Sequence, residues 1–441
     1  MKVLFISLGC DKNLVDSEHM SGILEKAGYQ FTDDEREADI IVINSCCFIN
    51  DAKEESINTI FEMARYKEEG NCKALVLAGC LAQRYYYEIK EEIPEIDICI
   101  GTTAIDSIAD ALNNFFKEKE KVFCFKNIDI HAGENAPRNL STSGSYAYLK
   151  IAEGCDKHCT YCIIPKIRGN YRSVKMEDVL KEAKELAESG VKELILVAQE
   201  TTMYGVDLYG KKSLHVLLKE LAKIPGVYWI RVLYCYPEEI YDELIDVMAS
   251  ESKICHYLDI PIQHASDNVL KRMGRRTSKQ QLIDTITKLR KEIPDIALRT
   301  TLITGFPGET QEQHEEVMEF VDEMEFERLG VFTYSPEEDT PAATMPDQID
   351  EEVKEDRQAD IMELQQEIVF DQAEDMIGKE VLVMIEGKVA DENAYVGRTY
   401  RDAPNVDGLI FVNTDEELMT GDFAKVKVTG AAEYDLIGEL I

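Results

Sequence analysis

The strongest constraint on the fold is a repeated pattern in which short, nearly continuous apolar runs alternate with amphipathic stretches. Up to about residue 120 the runs are KVLFISLG, DIIVINS, ALVLAG and IDICIG, with HMSGILEKAG and EESINTIFEMARYKEE among the stretches between them. A strand buried on both faces reads as a continuous apolar run, and parallel neighbours need a crossover long enough for a helix. Residues 1–120 are therefore expected to form a doubly wound parallel α/β domain.

The alternation resumes after a polar stretch, HAGENAPRNLSTSGS, which reads as a linker. The strands are now YLKIAEG, ELILVAQE, WIRVLYCYP, YLDIPIQH, LRTTLITGF and RLGVFTYS, with helical segments such as EDVLKEAKELAESG and TQEQHEEVMEFVDEME between them. Six strand–helix units over 141–368 predict a partial (β/α)6 barrel, since a complete one needs about eight. The helical stretch EEVKEDRQADIMELQQEIVFDQAEDM leads out of it. Over 372–441 the runs shorten to KEVLVMIEGKV, AYVGRTY and GLIFVN with Gly and Asp turns, the pattern of a small antiparallel β-barrel.

Length and composition agree with this division. A chain of 441 residues can build two to four cores, and 45% apolar with 30% charged residues is an ordinary globular balance. No apolar run approaches the roughly 18 residues that span a bilayer, so no membrane association is expected. The start, MKVLFISLGC, faintly resembles a lipoprotein signal, but its apolar part is short for a signal core and reads better as a first strand. The expected location is cytoplasmic. Twelve cysteines without a secretion signal then point to metal or redox chemistry rather than a disulfide framework.

Two cysteine triads stand out. EGCDKHCTYCIIP places Cys155, Cys159 and Cys162 in C-x3-C-x2-C spacing where the first barrel strand runs out, and no fourth cysteine follows. Structural zinc sites close with four ligands, and ordinary iron–sulfur clusters take four thiolates. Three thiolates on a 4Fe-4S cluster leave one iron open, the mark of a catalytic rather than a structural metal site. The bland alternative is a zinc site completed by His158 or a distant residue. The second triad is dispersed: Cys10 follows KVLFISLG, Cys46 follows DIIVINS and Cys80 follows ALVLAG. Each thus lies at the carboxyl end of its own parallel strand, where doubly wound sheets bind ligands. Three unrelated buried thiols are the bland reading here, as free cysteine is a common core residue. Cys72, Cys99, Cys124, Cys235 and Cys255 share no spacing and read as core.

The Cys155 motif resembles that of the radical SAM superfamily. That resemblance implies a cluster whose open iron binds S-adenosylmethionine, with Tyr161 beside the adenine and Gly305, in GFPGET, lining the cofactor. As a phosphate loop GFPGET is weak, and its plain reading is a turn. Both triads, in this domain order, resemble the methylthiotransferase family along essentially the whole chain. The implied domains are an N-terminal methylthiotransferase domain, a radical SAM core and a TRAM domain. The implied cofactors are two 4Fe-4S clusters, one on Cys155, Cys159 and Cys162 and an auxiliary one on Cys10, Cys46 and Cys80, with S-adenosylmethionine as both methyl donor and radical source. The family usually has a small residue after its second cysteine, whereas Cys47 follows Cys46 here; matching Asn44-Ser45-Cys46 to the family pattern makes Cys46 the ligand.

The family divides by substrate. Some members modify a tRNA adenosine beside the anticodon; one subfamily modifies an aspartate in protein twelve of the small ribosomal subunit. GCDKNLVDSE, AQETTMYGVDLYG, PIQHASDNVLKRMGR, FTYSPEEDTPA and DAPNVDG resemble the latter. His264, within one of them, reads more readily as a satisfied barrel histidine than as a catalytic group. Charge agrees. The chain carries −37, and residues 371–441 hold 6 Lys and Arg against 16 Asp and Glu, a balance of −10. Such a surface repels bare nucleic acid and favours a basic protein partner. The expected partners are protein twelve and a reductant the sequence does not identify. Alternatives are a tRNA adenosine methylthiotransferase, a radical enzyme whose second cluster only transfers electrons, and a non-catalytic zinc-binding ribosome-associated module.

Overall fold

Two runs, IIVINS and ALVLAG, are buried at every position and form the centre of the first sheet. A computed structural model describes residues 1–133, 136–390 and 392–441. Its first sheet contains β1 (Lys2–Ser7), β2 (Gln30–Phe31), β3 (Ile40–Ser45), β4 (Ala74–Gly79), β5 (Ile98–Ile100) and β6 (Val122–Cys124). The order is β2-β1-β3-β4-β5-β6, and every pairing is parallel. Successive side chains leave a strand on opposite faces, so these runs feed two cores. Ile41, Ile43, Leu75 and Leu77 pack with Ile60 and Met63 of the helix Asn50–Ala64. Ile40, Val42, Ala74 and Val76 pack with Met20 and Leu24 of the helix Asp11–Lys26 and with Ile108 and Leu112 of Ile108–Glu118. The chain winds outward from β1 to β2 and then returns to β3 on the other side. That reversal opens a crevice beyond the carboxyl ends of β1 and β3, where such sheets bind ligands.

The second sheet starts at β7 (Tyr146–Lys150). A short antiparallel pair, β8 (Ala152–Glu153) with β9 (Arg172–Ser173), then flanks the loop that carries Cys155, Cys159 and Cys162. The sheet continues with β10 (Glu193–Val197), β11 (Trp229–Val232), β12 (Ile254–Asp259), β13 (Ala297–Thr304) and β14 (Arg328–Thr333), in sequential order from β7 to β14. This is the expected six-unit open barrel. Thr310, the last residue of GFPGET, caps the helix Gln311–Met324 reciprocally with Gln313, so the plain reading of this stretch as a turn has a physical basis.

Two compact units result: residues 1–141 with 150–179 and 335–343, and residues 142–149 with 180–334 and 344–441. Glu134 and Asn135 of the expected linker lie outside the described residues. The rest of that stretch is anchored rather than free. Arg138 donates to the buried Glu18 carboxylate at 2.6 Å, and the Ser141 amide donates to it at 2.8 Å.

Within the second unit, β15 (Glu380–Lys388), β16 (Ala394–Arg398), β17 (Ile410–Asn413), β18 (Phe423–Ala432) and β19 (Asp435–Leu440) close a barrel in the order β15-β16-β17-β19-β18. Four of its five pairings are antiparallel, and β17 with β19 is parallel. Val383, Ile385, Ile410, Val412, Val426 and Val428 fill it. Buried ion pairs tie this barrel to the amino ends of the β10–β14 strands. Glu193 takes Arg231 at 2.8 Å and Arg398 at 2.7 Å, Arg328 pairs with Asp402, and Asp407 accepts the Tyr257 hydroxyl at 2.6 Å.

Candidate functional site

Cys10, Cys46 and Cys80 converge because each ends a neighbouring strand, and one side chain fastens all three ends. The Asn13 amide donates to Leu8 O at 2.9 Å, beyond β1, and to Ser45 O at 3.0 Å, at the end of β3. Its oxygen accepts from Cys80 Sγ at 3.8 Å, at the end of β4, and from the Arg168 guanidinium. Cys10 precedes the helix Asp11–Lys26, and its carbonyl accepts from Asn13 and Leu14. The Ser56 hydroxyl fixes Cys46, accepting from its amide at 3.1 Å and donating to its carbonyl at 2.9 Å. Gly9, at φ 86°, must be glycine, because a Cβ there would overlap the Cys46 side chain.

Cys10 is exposed, whereas Cys46 and Cys80 are buried. Burial raises the Cys46 thiol and pushes Cys80 up to about 12; the Arg168 charge works against this at both. Cys47 is fully buried in the apolar cluster beneath β3 and β4.

The second triad lies on the loop between β8 and the short helix Ile164–Arg168. Gly154, at φ 78°, turns the chain into this loop, and a Cβ would collide with the backbone of Gly169 and Asn170. The Cys155 amide donates to Gly169 O at 3.2 Å and the Cys162 amide to Cys159 O at 3.0 Å. Cys159 is buried and the other two are half-buried. Burial raises the Cys162 thiol, and the nearby Cys159 and Cys155 raise it further. Tyr161 is half-buried in the same loop, whereas His158 is exposed, with φ 53°. Beyond the loop, Ile163 and Ile167 insert into the core beneath the first sheet. Both triads therefore belong to one compact unit. Gly305 lies in the other unit, at the end of β13, with its α-carbon against the Lys354 side chain. Among the described residues, no three or more His, Cys, Asp or Glu stand close enough to hold a single metal ion.

Sequence reasoning missed the charged network beside these loops. Arg168 is 2% exposed and donates to Asp16 at 2.7 Å and Glu153 at 3.3 Å. Lys150 reaches the same two carboxylates at 2.5 and 3.0 Å. Burial disfavours the Arg168 charge, yet the neighbouring Cys80, Glu153, Asp16 and Cys10 side chains raise its pKa well above the ordinary value. Arg168 falls six residues after Cys162 in no recognisable spacing, so only the fold exposes it. Glu337, from FTYSPEEDTPA, is a second such residue. It takes Lys53 at 3.0 Å and Arg84 at 2.9 Å, while the Ala342 amide of the same loop donates to Thr160 O at 2.9 Å. His264 is engaged structurally, with Nδ1 accepting from the Ser266 amide at 2.9 Å and Nε2 facing Glu309 at 3.7 Å.

Comparisons with known proteins match this architecture segment by segment. Residues 2–101 match the Uncharacterized protein family UPF0004, 149–321 the Radical SAM superfamily, and 377–441 the TRAM domain. The chain is 64% identical over 438 residues to ribosomal protein uS12 methylthiotransferase RimO of Lachnoclostridium phytofermentans, covering 99% of each. It is 50% identical over 441 residues to the protein of the same name from Clostridioides difficile, covering 100% of this chain and 99% of that one. The chain belongs to the RimO family. It is a transferase of the radical SAM methylthiotransferase type. Among solved structures it is similar in fold to the radical S-adenosylmethionine methyltransferase TsrM of Kitasatospora setae, with TM-score 0.55 at 13% identity, covering 77% of this chain and 73% of that one.

Proposed function

We propose that the enzyme adds a methylthio group to the β-carbon of an aspartate in ribosomal protein twelve of the small subunit, uS12. The observation that carries this reading is 64% identity across the whole chain to an enzyme named for modifying uS12. S-adenosylmethionine and iron–sulfur chemistry accompany the radical SAM core. In this reading Cys155, Cys159 and Cys162 hold one 4Fe-4S cluster, with Tyr161 and Gly305 lining the S-adenosylmethionine site, and Cys10, Cys46 and Cys80 hold the second. We also propose the three-domain division 1–120, 141–368 and 372–441.

The donor sets suit that role. Thiolates are soft ligands that favour iron–sulfur clusters. Ligands on separate irons of a cluster stand farther apart than those around one ion, in keeping with triads that do not crowd a single point. When bound, the clusters and S-adenosylmethionine supply the radical that removes hydrogen from an unactivated carbon and the methylthio group that replaces it. The residues of the chain supply geometry. Asn13 keeps three strand ends in register, Gly154 lets the second loop turn, and Ile163 and Ile167 seat that loop on the first sheet's core. Burial of Cys46, Cys80 and Cys159 excludes water from the inner face of each triad.

The acidic surface supports a basic protein substrate. The side chains of Asp402, Asp407 and Arg398 are buried, and setting them aside leaves 14 acidic against 5 basic side chains over 371–441, a balance of −9. The decisive experiment incubates reconstituted enzyme with uS12 and with tRNA and looks for the added methylthio mass. Modified adenosine beside unchanged uS12 would overturn the substrate assignment. Anaerobic reconstitution should give about eight irons per chain, about four per cluster. A Cys10→Ala/Cys46→Ala/Cys80→Ala variant should retain about half the iron and still cleave S-adenosylmethionine, yet transfer no methylthio group.

A further inference from the structure

The N-terminal triad lies beside a buried cation, Arg168. Arg168 Nη2 and Cys80 Sγ converge on the same atom, Asn13 Oδ1, which places the guanidinium beside that thiol. Its other nitrogen is held by Asp16 at 2.7 Å and Glu153 at 3.3 Å, and its carbonyl accepts from Arg172 at 2.8 Å. Lys150 and Arg168 share the Asp16 and Glu153 carboxylates, and the Arg168 nitrogen that meets Asn13 Oδ1 is the one beside Cys80. An uncompensated anion is costly to bury, and several thiolates in one crevice need a nearby counter-charge. The backbone adds a second link. Gly169, the next residue, accepts the Cys155 amide at 3.2 Å, so this short segment joins the second cysteine loop to the first triad.

We infer that Arg168 is the positioning residue and counter-ion of the Cys10, Cys46 and Cys80 triad, holding negative charge at the three strand ends and tying them to the loop of Cys155. This rests on the proposed auxiliary cluster. A cation beside a cluster favours its reduced, more negative form, and so raises its reduction potential.

The test uses the full chain carrying Cys155→Ala, Cys159→Ala and Cys162→Ala, so that only the N-terminal cluster remains. Iron content and a spectroscopic redox titration are then compared with two further variants in that background. Arg168→Gln removes the cation and should shift the potential to more negative values, with faster iron loss to a chelator. Asp16→Asn removes a carboxylate from the same network while leaving Arg168 in place, and should shift it the opposite way. If Arg168→Gln does not fold, the positive shift of Asp16→Asn decides alone. Unchanged potentials in a loaded cluster would overturn the inference while sparing the cluster assignment. No iron in the parent variant would instead sink the cluster assignment, and the inference with it.

Discussion

Single positions carry unequal burdens around the two triads. Gly154 occupies a left-handed conformation with no room for a Cβ against the Gly169 and Asn170 backbone. Gly154→Ala should therefore cost more than the roughly 1–2 kcal/mol of left-handed strain alone. Displacing the loop should lower iron in the Cys155 triad, measured as iron retained in a variant lacking the other three cysteines. Cys47 makes the opposite case. Although adjacent to Cys46, it is fully buried in the apolar cluster, and burial, with Cys80 nearby, raises its thiol far above the ordinary range. Cys47→Ala should leave iron content and methylthio transfer intact, whereas Cys46→Ala should abolish transfer. Equal losses from both would mean that both thiols are needed, and no loss from Cys46→Ala would mean that Cys47 can replace it. Asn13 is the residue whose importance least resembles its chemistry. Its neutral amide bridges three strand ends that are far apart in sequence.

At the level of elements, the C-terminal barrel is not a detachable tail. Asp402 and Asp407, both in the DAPNVDG turn, neutralise Arg328 and face Arg299 at 3.4 Å respectively. Arg398 shares Glu193 with Arg231, and all three are fully buried. Removing one partner of such a set strands the others without water. Glu193→Ala should destabilise the protein by about 3–5 kcal/mol, read from chemical denaturation. A loss within about 1 kcal/mol would show that water reaches the site. By the same reasoning, deleting the chain after residue 371 exposes the buried charges of β11, β13 and β14. S-adenosylmethionine cleavage should then fall along with methylthio transfer, so truncation cannot isolate a substrate-binding role. Charge reversals on the exposed face of β18, such as Lys425→Glu, are the cleaner probe.

For the whole molecule, electrostatics act at long range and through proton linkage. The net charge of −37 should make association with a basic protein weaken as salt rises, because exposed charges are screened beyond about 8 Å at physiological ionic strength. Salt-independent binding would exclude charge as the attraction. Acid stability follows from the buried carboxylates. Burial alone would raise Glu193, but Arg398 and Arg231 hold it below its ordinary 4.5; Arg328 likewise holds the buried Asp402 below 3.8. Stabilisation from a depressed carboxylate is present above the unfolded-state value and is lost as pH falls through the folded one. The unfolding temperature should thus stay level from neutral pH to about 5 and decline below about 4. Glu193→Gln, already without that carboxylate, should decline less steeply over the acid range. No described helix is long and apolar enough to cross a membrane.

Local pattern determined the elements of this protein, and even the strand ends where its cysteines stand. Buried parallel strands must be apolar throughout, so IIVINS and ALVLAG could be read directly; Cys46 and Cys80 follow their strands by one position, and Cys10 follows β1 by three. The C-x3-C-x2-C spacing was legible because its three cysteines share one loop. The turn reading of GFPGET also followed from residue chemistry, whereas nothing local marked His264 Nε2, which is buried beside Glu309 without a hydrogen-bond partner among the described residues. What pattern could not supply was every interaction between residues distant in the chain. Asn13 and Arg168 are 155 positions apart, and nothing local in either segment marks the pair. A linker that looked merely polar became an anchored segment because Glu18, on a helix far upstream, needed Arg138 once it was buried. Nothing local in DAPNVDG announced that packing would bring its carboxylates to the feet of other strands. Burying a charge demands a partner, and only the tertiary fold decides which one is within reach.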